Sequence, residues 1–364
     1  MMKKNVYQRC DKLRKMLKKE KLGAFLVTNF TNVTWLTGFT GDDSYLLVTP
    51  EGQTLLSDSR YTLQIARECP GLPVEIRSQS MSAMIKQLLE KNCSSPCTLA
   101  VESNSVTLSQ AEALRREVTS ELVPVSGWVE KLRSVKDRAE IAKIREAGRI
   151  ARNAFHVVRA SLTPDKTEKQ IADEMENVMR KLGAKRAGFP TIVAVGANAA
   201  LCHCVPGDVR VKDADFLLID WGAEYQGYTS DLTRVLITGK PSAEFRKIYR
   251  IVLEAQRKAI EAIRPGVRCC DVDRVARSYI SRRGYGKCFG HGLGHGIGLY
   301  IHESPSFSAG CDTVLEPGMV LTVEPGIYIE GMGGVRIEDD IVVTRNGCEV
   351  LTDVEKDWDD MFVH

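Results

Sequence analysis

The sequence predicts a two-domain protein of the mixed α/β class (α+β), and three observations lead to this expectation. The chain has 364 residues, 43% of them hydrophobic, so it can bury a sizeable core in each of two domains. Short apolar segments alternate with helical patterns before about residue 130. After the break at residues 124–136 (PVSGWVEKLRSVK), apolar residues recur at helical spacing for more than twenty positions. We therefore expect an N-terminal domain over residues 1–130 and a C-terminal domain over residues 131–364.

The N-terminal segment has the pattern of a small layered α/β domain. A basic helix is predicted from about residue 5 to 21, followed by a strand in GAFLVTN and the segment NVTWLTG. A hairpin is predicted in SYLLVTPEGQTLLSD, with its turn at Pro50-Glu51-Gly52. Six Lys or Arg residues among positions 12–21 indicate that the first helix has a solvated face.

The C-terminal segment shows one order of elements twice. A long helix (137–162), a shorter helix (about 167–183) and strands are followed by a helix in SAEFRKIYRIVLEAQRKAIEAI. That helix ends at Arg264-Pro265-Gly266, and a further helix and further strands come after it. The order of elements predicts two similar halves.

Charge and composition exclude several functional classes. Fifty Lys and Arg against 47 Asp and Glu leave a net charge of +3, without the basic stripe of a nucleic-acid binder. No apolar run approaches the roughly 20 residues that span a bilayer, and the N-terminus is charged where a signal peptide is apolar. We therefore expect a cytoplasmic protein. Its eleven scattered cysteines form no paired CxxC motifs, which favours reduced thiols over a disulfide framework or zinc knuckles.

Two strand-like runs in FLLIDWGAEYQGYTSDLTRVLIT each carry an aspartate, Asp220 and Asp231. A turn centred on Tyr225-Gln226 would place them directly opposite, with their Cβ atoms about 4.5–5.5 Å apart. A turn at Gln226-Gly227 would make them diagonal neighbours that can still reach a common ligand. Both registers bring two carboxylates together on strands that otherwise have the composition of a core.

A second hairpin is predicted in MVLTVEPGIYIEGMGGVRIEDDIVVT. Centring it on Gly331 places Glu324 opposite Glu338, and Arg336 shares the face of Glu338 because strand side chains repeat with a period of two. Unpaired buried carboxylates cost several kcal/mol each, and one arginine cannot neutralise four of them. Bound divalent cations explain the pattern more simply than four protonated carboxyl groups, so we predict a metal centre.

Three of the six histidines lie between the two hairpins, in FGHGLGHGIGLYIHESP. They are His291, His295 and His302, and the glycines among them allow imidazoles to converge closely. A phosphate-binding loop is disfavoured because the full GxGxxG spacing and a following lysine are missing. The HExxH pattern of zinc peptidases is missing as well, since Ser-Pro-Ser follows His302-Glu303.

These residues resemble the pita-bread metallopeptidases, which include aminopeptidase P, prolidase, methionine aminopeptidase and the metal-free creatinase. That family orders five ligands of a dinuclear metal centre as Asp, Asp, His, Glu and Glu. The matching positions here are Asp220, Asp231, His295, Glu324 and Glu338. The resemblance covers about residues 135–355 and implies a pita-bread domain with pseudo-twofold repeats of helices and strands. The first segment looks like the creatinase-like N-terminal domain of the aminopeptidase P and prolidase branch, a domain that methionine aminopeptidases generally lack.

The resemblance implies a role for each matched ligand. Asp231 and Glu338 would bridge two divalent metals. Asp220 would chelate one metal, and His295 and Glu324 would complete the site of the other. Glu324 would also pass a proton to the leaving proline nitrogen. Carboxylate-rich ligands favour Mn²⁺, with Co²⁺, Zn²⁺ or Fe²⁺ as substitutes.

The resemblance also implies substrate-side residues. His203, in AALCHCVPG, corresponds to a histidine that contacts the peptide near the scissile bond. His302 would help to hold the peptide or the oxyanion, and His291 would contact the substrate beyond that bond. Arg336 would pair with a carboxylate in bidentate fashion, or else only orient the glutamate two residues later. Tyr328 would donate a hydrogen bond in the site, or else only pack on its strand.

One position departs from the family pattern. Members often have proline before the substrate-side histidine, whereas Cys202 precedes His203 here and Cys204 follows it. This difference affects the expected shape of the loop. A Cys-His-Cys group could bind adventitious zinc, although the carboxylate ligands favour a harder metal.

The implied activity is hydrolysis of the bond between an N-terminal residue and a following proline, through a metal-bridging water, as in aminopeptidase P. The expected substrates are short peptides with proline in the second position. Xaa-Pro dipeptidase (prolidase) is an open alternative, because it shares the site residues. A catalytically silent peptide- or protein-binding module is disfavoured, since such relatives typically lose metal ligands. The family usually forms dimers, so we expect a homodimer.

Overall fold

The computed structural model describes residues 2–93 and 97–363, and the chain divides into two compact units, residues 1–133 and 134–364. Helices and strands occur in both units, which confirms the mixed α/β class. Within the described residues, no helix combines the length and the apolar character needed to cross a membrane.

The N-terminal unit is built on a six-stranded mixed sheet. Its elements are α1 (Met2–Lys19), β1 (Ala24–Val27), α2 (Phe30–Thr37), β2 (Tyr45–Val48), β3 (Gln53–Ser57), α3 (Thr62–Glu68), β4 (Val74–Ile76), α4 (Met81–Asn92), β5 (Thr98–Glu102), α5 (Leu108–Glu117), β6 (Glu121–Val125) and α6 (Trp128–Ser134). The strand order is β4-β3-β2-β1-β5-β6. The antiparallel β2-β3 hairpin predicted around Pro50-Glu51-Gly52 is present.

The segment NVTWLTG lies mostly within helix α2. Asn29 begins this helix, because its side chain accepts hydrogen bonds from the backbone N–H groups of Thr31 and Asn32. Gly38 ends it in the left-handed conformation, with φ of 81°. Local capping therefore determines the helix despite its four threonine and valine residues, whose propensity favours strands.

The C-terminal unit combines four α-helices with several small sheets. Its elements are α7 (Arg138–Ala160), α8 (Glu168–Lys181), β7 (Arg186–Ala187), β8 (Ile192–Val195), β9 (Phe216–Trp221), β10 (Ala223–Tyr225), β11 (Tyr228–Thr229), β12 (Leu232–Ile237), α9 (Ala243–Ala262), α10 (Cys269–Arg282), β13 (Gly294–Gly296), β14 (Glu303–Phe307), β15 (Val320–Val323), β16 (Gly326–Ile329), β17 (Gly333–Arg336), β18 (Asp339–Val343) and β19 (Cys348–Val350). The sheets have the strand orders β12-β9-β8, β11-β10-β7, β14-β13-β15-β18-β19 and β16-β17.

The two halves of this unit repeat one order of elements, as the sequence predicted. In the first half, the 23-residue α7 and the 14-residue α8 precede the β9-β12 hairpin. In the second half, the 20-residue α9 and the 14-residue α10 precede the β15-β18 hairpin. Each half thus supplies one of the two hairpins that carry the predicted carboxylates.

A large hydrophobic core cluster links the helices to these strands. The buried Trp221 stacks on Phe155 of α7, with ring centroids 4.8 Å apart, and its indole N–H donates to the carbonyl oxygen of Ala151 at 2.9 Å. Neighbouring strand residues point to opposite faces. The contact of Trp221 with α7 therefore directs Asp220 to the other face of β9, away from this helix.

Gly222 allows the first hairpin to close between the two aspartates. A Cβ atom at this position would lie 1.8 Å from the carbonyl oxygen of Ser230. That oxygen belongs to the backbone of the other arm of the hairpin, so it cannot move aside without distorting the hairpin.

We expect Gly222→Ala to lower the free energy of unfolding by about 3 kcal/mol, because overpacking against backbone forces the strands apart. Denaturant unfolding followed by tryptophan fluorescence measures the change. Gly310→Ala is the matched control, since a Cβ at residue 310 meets no atom within 4 Å. The control should change stability by less than about 0.5 kcal/mol. Equal losses in the two variants would contradict the role assigned to Gly222.

Candidate functional site

The first hairpin has the register that makes the two aspartates diagonal neighbours. Asp220 lies opposite Thr233 and Trp221 lies opposite Leu232. The turn consists of Gln226 (φ 49°) and Gly227 (φ 84°). Two positive φ values are typical of a tight type I′ hairpin, which follows the twist of the strands. Of the two registers left open by the sequence, the structure has the one with its turn at Gln226-Gly227.

The second hairpin is centred on Gly331, as predicted. Val323 lies opposite Asp339 on one side of the ligand positions, and Gly326 lies opposite Arg336 on the other. The same register on both sides places residues 324 and 338 across from each other. The backbone N–H of residue 338 also donates to the carbonyl oxygen of Thr233 at 3.2 Å, which joins the second hairpin to the first.

His295 lies on the short strand β13, next to the second hairpin. Its backbone N–H donates to Oγ1 of Thr322 at 3.0 Å. Its ring Nδ1 lies 3.1 Å from the carbonyl oxygen of Gly296, which can only accept, so Nδ1 carries the hydrogen. Nε2 is then an acceptor, yet it faces Glu324 Oε1 at 3.3 Å and Asp231 Oδ2 at 3.7 Å. Acceptors that face one another in this way are stabilised by a cation or a proton between them.

The donor set fits a metal centre. Asp231, His295 and Glu338 each offer a ligand atom, and these atoms all lie within 4.8 Å of one another. Among the described residues, the buried oxygens that lack a hydrogen-bond partner include Asp220 Oδ1, Asp231 Oδ1 and Glu338 Oε1. Buried carboxylate oxygens without partners are costly, and divalent cations satisfy them. The chemistry of these oxygens therefore matches the metals that the ligand set implies.

The electrostatics of the cluster lead to the same conclusion. Burial, and then the neighbouring Glu338 and Asp220, raise the pKa of Asp231 well above its usual range. Burial raises the pKa of Glu324 to about 8, and burial together with Glu324 raises the pKa of Glu338 strongly. Burial lowers the pKa of His295 to about 4, which keeps the imidazole neutral and available as a ligand.

Arg336 connects the two hairpins. Its Nη2 donates to Asp220 Oδ2 at 2.5 Å, a single bond rather than the expected bidentate pair. Its Nε donates to Oγ1 of Thr233 at 3.0 Å, and that hydroxyl donates to Oε2 of Glu338 at 2.6 Å. Arg336 therefore pairs with one carboxylate directly and orients a second one through a threonine.

Tyr328 has polar partners and does not merely pack on its strand. Nη1 of Arg336 donates to its hydroxyl oxygen at 2.9 Å. The hydroxyl in turn lies 2.9 Å from His291 Nε2, while His291 Nδ1 lies 2.7 Å from the carbonyl oxygen of Gly292. Since that carbonyl can only accept, Nδ1 donates to it and Tyr328 donates to Nε2.

The substrate-side histidines come from different loops. His302 has its ring 4.4 Å from the ring of His295, and burial followed by the charge of His203 lowers its pKa. His203 is exposed on its loop, between the half-buried Cys202 and the buried Cys204. The candidate metal group formed by described residues contains no cysteine, and all eleven cysteines are free thiols.

All ten residues singled out from the sequence line one cavity of about 670 Å³. They are His203, Asp220, Asp231, His291, His295, His302, Glu324, Tyr328, Arg336 and Glu338. Segments that are up to 135 positions apart in the chain therefore converge on one site.

The sequence analysis missed three residues that orient the ligands. Thr233 donates to Glu338, and Thr322 donates to Glu324 Oε1 at 3.1 Å. Asp340 accepts the backbone N–H of Asp231 at 2.9 Å. Each of the three lies two residues from a predicted ligand, so the period of two along a strand was the signal that could have revealed them.

Known proteins resemble the chain over nearly its full length. The Xaa-Pro dipeptidase of Pyrococcus horikoshii is 37% identical over 96% of this chain and 98% of its own. A solved Xaa-Pro dipeptidase from Bacillus anthracis has a TM-score of 0.94 and 38% identity, covering 97% of this chain and 99% of that one. A solved X-Pro aminopeptidase from Thermotoga maritima has a TM-score of 0.85 and 37% identity, covering 93% and 97%.

Two family descriptions match the two parts of the chain. Residues 9–135 match the Creatinase/Prolidase N-terminal domain, and residues 142–345 match metallopeptidase family M24. These matches confirm the resemblance stated from the sequence, together with the pita-bread and creatinase-like domains that it implied. The chain belongs to metallopeptidase family M24.

Proposed function

We propose that this metallo-exopeptidase hydrolyses the bond between an N-terminal residue and a following proline, with two divalent metal ions in its site. The observation that carries the proposal is the set of buried, partnerless carboxylate oxygens of Asp220, Asp231 and Glu338 beside the acceptor Nε2 of His295. The Xaa-Pro specificity is supported by the relatives from Pyrococcus horikoshii, Bacillus anthracis and Thermotoga maritima, each of which is named as an Xaa-Pro peptidase.

We assign the metals to the five ligands inferred from the resemblance. Asp231 and Glu338 would be shared by both metals, Asp220 would hold one, and His295 and Glu324 would hold the other. Two divalent cations in such a site lower the pKa of a shared water and polarise the scissile carbonyl. Four carboxylates and one imidazole favour Mn²⁺ as the native metal.

The protein's own groups position the peptide and move the proton. His203 would contact the peptide near the scissile bond, His302 would help to hold the peptide or the oxyanion, and His291 would contact the substrate beyond that bond. Glu324 takes a proton at its carboxylate and gives it to the proline nitrogen as the bond breaks. Arg336 and Tyr328 hold Asp220 and His291 in place through the hydrogen bonds described above.

Two substrate lengths are candidates, and different observations favour them. Dipeptides are favoured by the relatives that carry the name Xaa-Pro dipeptidase. Longer peptides are favoured by the cavity, because its described lining has no lysine and its one arginine already pairs with Asp220. Burial lowers the pKa of His291 to about 4 and also lowers the pKa of His302, which disfavours a positive charge on either imidazole. A dipeptide would bring the carboxylate of its proline into a cavity whose described lining offers no lysine and no unpaired arginine. This supports the aminopeptidase P type, whereas the names of the relatives support the dipeptidase.

The oligomeric state and the cellular location of the protein stay predictions. The homodimer is inferred from the family resemblance alone, and the cytoplasmic location is an expectation from the sequence.

Neutralising one of the two carboxylates that both metals would share should abolish metal binding and activity. In Asp231→Asn and Glu338→Gln the cations would repel each other without compensation, so we expect kcat/KM to fall by more than about 100-fold. Metal content by mass spectrometry and hydrolysis of an Xaa-Pro-Yaa tripeptide measure the two effects. Glu349→Gln is the control, because it removes an exposed carboxylate that pairs with Arg145. Near-normal turnover in either ligand variant would rule out the assignment of two metals.

Metal removal should be reversible. We expect chelator-stripped protein to lose tripeptide hydrolysis and to regain it with added Mn²⁺, since the ligands are mainly hard oxygen donors. Parallel titrations with Zn²⁺ and Co²⁺ compare the metals. Full activity of protein that is shown by elemental analysis to be metal-free would contradict the proposal.

Substrate length can be separated from substrate charge with three matched peptides. At neutral pH we expect Ala-Pro-Ala and the neutral Ala-Pro-amide to be hydrolysed with about tenfold higher kcat/KM than Ala-Pro. The dipeptide loses this factor because the carboxylate of its proline would be buried without a partner. Release of alanine measures each rate, and Ala-Ala-Ala tests the requirement for proline. Faster hydrolysis of Ala-Pro would instead assign the dipeptidase activity, while inert Ala-Pro peptides with intact metal would contradict the Xaa-Pro specificity.

A further inference from the structure

The loop that carries His203 is held by a side chain outside the cavity. This histidine loop, residues 196–210, begins with the short 3₁₀ helix Gly196–Ala200 and leads to a second one at Val211–Asp213. Its apolar residues Leu201 and Val205 are 61% and 85% exposed. Hydrophobic burial therefore cannot fix the outer part of this loop.

Glu168, the first residue of α8, reaches both ends of the histidine loop. Its Oε1 accepts hydrogen bonds from the backbone N–H of Val195 at 2.7 Å and from Nδ2 of Asn198 at 2.8 Å. Its Oε2 accepts the backbone N–H of Gly207 at 2.9 Å. The residue is only 1% exposed, so these bonds form away from solvent. Hydrogen bonds to a buried charged acceptor are stronger than those between neutral groups.

The carboxylate of Glu168 is not needed to cap its own helix. Thr167 and Gln170 already form a reciprocal capping box at the start of α8. The side chain of Glu168 thus bonds to the loop instead, and the N-terminal end of α8 stabilises its negative charge. Backbone bonds add to the attachment, because the N–H of Glu168 donates to Val209 O and that of Lys169 donates to Gly207 O, both at 3.0 Å.

We propose that Glu168 is a positioning residue for peptide hydrolysis, holding the histidine loop so that His203 faces the substrate. The inference rests on the proposed function, since it assumes that His203 contacts the peptide. Glu168 acts through the loop and not on the reacting atoms. Its negative charge is the essential property, because all three of its partners are N–H donors.

The segment that carries His291, in the same unit, is held in a comparable way, which supports the assignment. Asp273, buried in α10, accepts the backbone N–H of Leu293 at 3.1 Å and pairs with Arg277 at 2.8 Å. Arg277 Nη2 donates to the carbonyl oxygen of His291 at 2.7 Å. A buried acid on a 14-residue helix thus anchors a histidine loop in each half of the unit.

Glu168→Gln is the decisive substitution, because glutamine keeps the shape but presents an N–H₂ group to one of the donors. We expect kcat/KM for an Xaa-Pro-Yaa tripeptide to fall by about 10- to 100-fold, the usual effect of misplacing a group that touches substrate. Bound metal should stay unchanged. The buried Cys204 should become reactive to a thiol reagent, as mapped by mass spectrometry, while the half-buried Cys202 serves as the internal reference.

A double-mutant cycle with His203→Ala separates positioning from general destabilisation. If Glu168 acts through His203, Glu168→Gln should lower kcat/KM no further in the His203→Ala background. Additive losses would overturn the inference. Should His203→Ala alone leave activity unchanged, the proposed role of His203 would fail, independently of any result for Glu168.

Two more variants control for folding. Glu140→Gln changes another buried acid, near the start of α7, which accepts hydrogen bonds from Tyr228 and from the backbone N–H of Asp137. It should leave kcat/KM and the protection of Cys204 unchanged.

Asn198→Ala deletes one bond to Glu168 without altering the buried charge. If Glu168→Gln does not fold, Asn198→Ala should show a smaller loss that also disappears in the His203→Ala background, and an undiminished loss there would overturn the inference.

Discussion

The mutual repulsion of buried carboxylates is the constraint on which the rest of the site depends. Asp231, Glu324 and Glu338 lie together out of water, and both burial and one another's charge raise the pKa values of Asp231 and Glu338. Such a cluster costs several kcal/mol per charge unless cations or protons are present. The hydroxyls of Thr233 and Thr322 satisfy individual oxygens but add no positive charge. Divalent cations offset the repulsion and also account for the acceptor nitrogen that His295 turns toward the carboxylates.

Neighbouring residues of one strand show that the repulsion is confined to the face that meets the cavity. Burial alone would raise the pKa of Asp339, but Arg234 and Lys356 lower it below its usual value. Arg234 is fully buried, bonds to Asp339 Oδ1 at 2.7 Å and also donates to the carbonyl oxygen of Glu338 at 2.6 Å. Glu338 and Asp340, one residue away on either side, have strongly raised pKa values instead. The chain thus supplies two cations to Asp339 alone, whereas Arg336 is the single described arginine beside the four carboxylates of the cavity, which leaves most of their charge to bound metals.

Sequence reasoning reached the four carboxylates because they follow local rules, whereas His295 was distinguished from the neighbouring histidines by the family resemblance. Apolar strands joined by short turns, with a side-chain period of two, are sufficient to place Glu324 opposite Glu338. The first hairpin left two registers open, since of the two turn residues only Gly227 favours the positive φ that both adopt. The role of Glu168 could not be derived in this way. Its partners Val195 and Gly207 lie 27 and 39 positions along the chain, and only the packing of α8 against the loop brings them together.

The fold separates the residues that we propose as metal ligands from the histidine that we propose to contact the substrate. The ligands lie on or beside paired strands, whose register is set by many backbone bonds. His203 lies on a loop that is held at its ends by buried Glu168, while Leu201 and Val205 remain exposed on the same loop. Substitutions on this apolar segment can therefore change contacts beyond the scissile bond without moving a ligand strand. For that reason an aminopeptidase and a dipeptidase can share all five ligands, and the difference between them must be sought in such loops and in the charges that line the cavity.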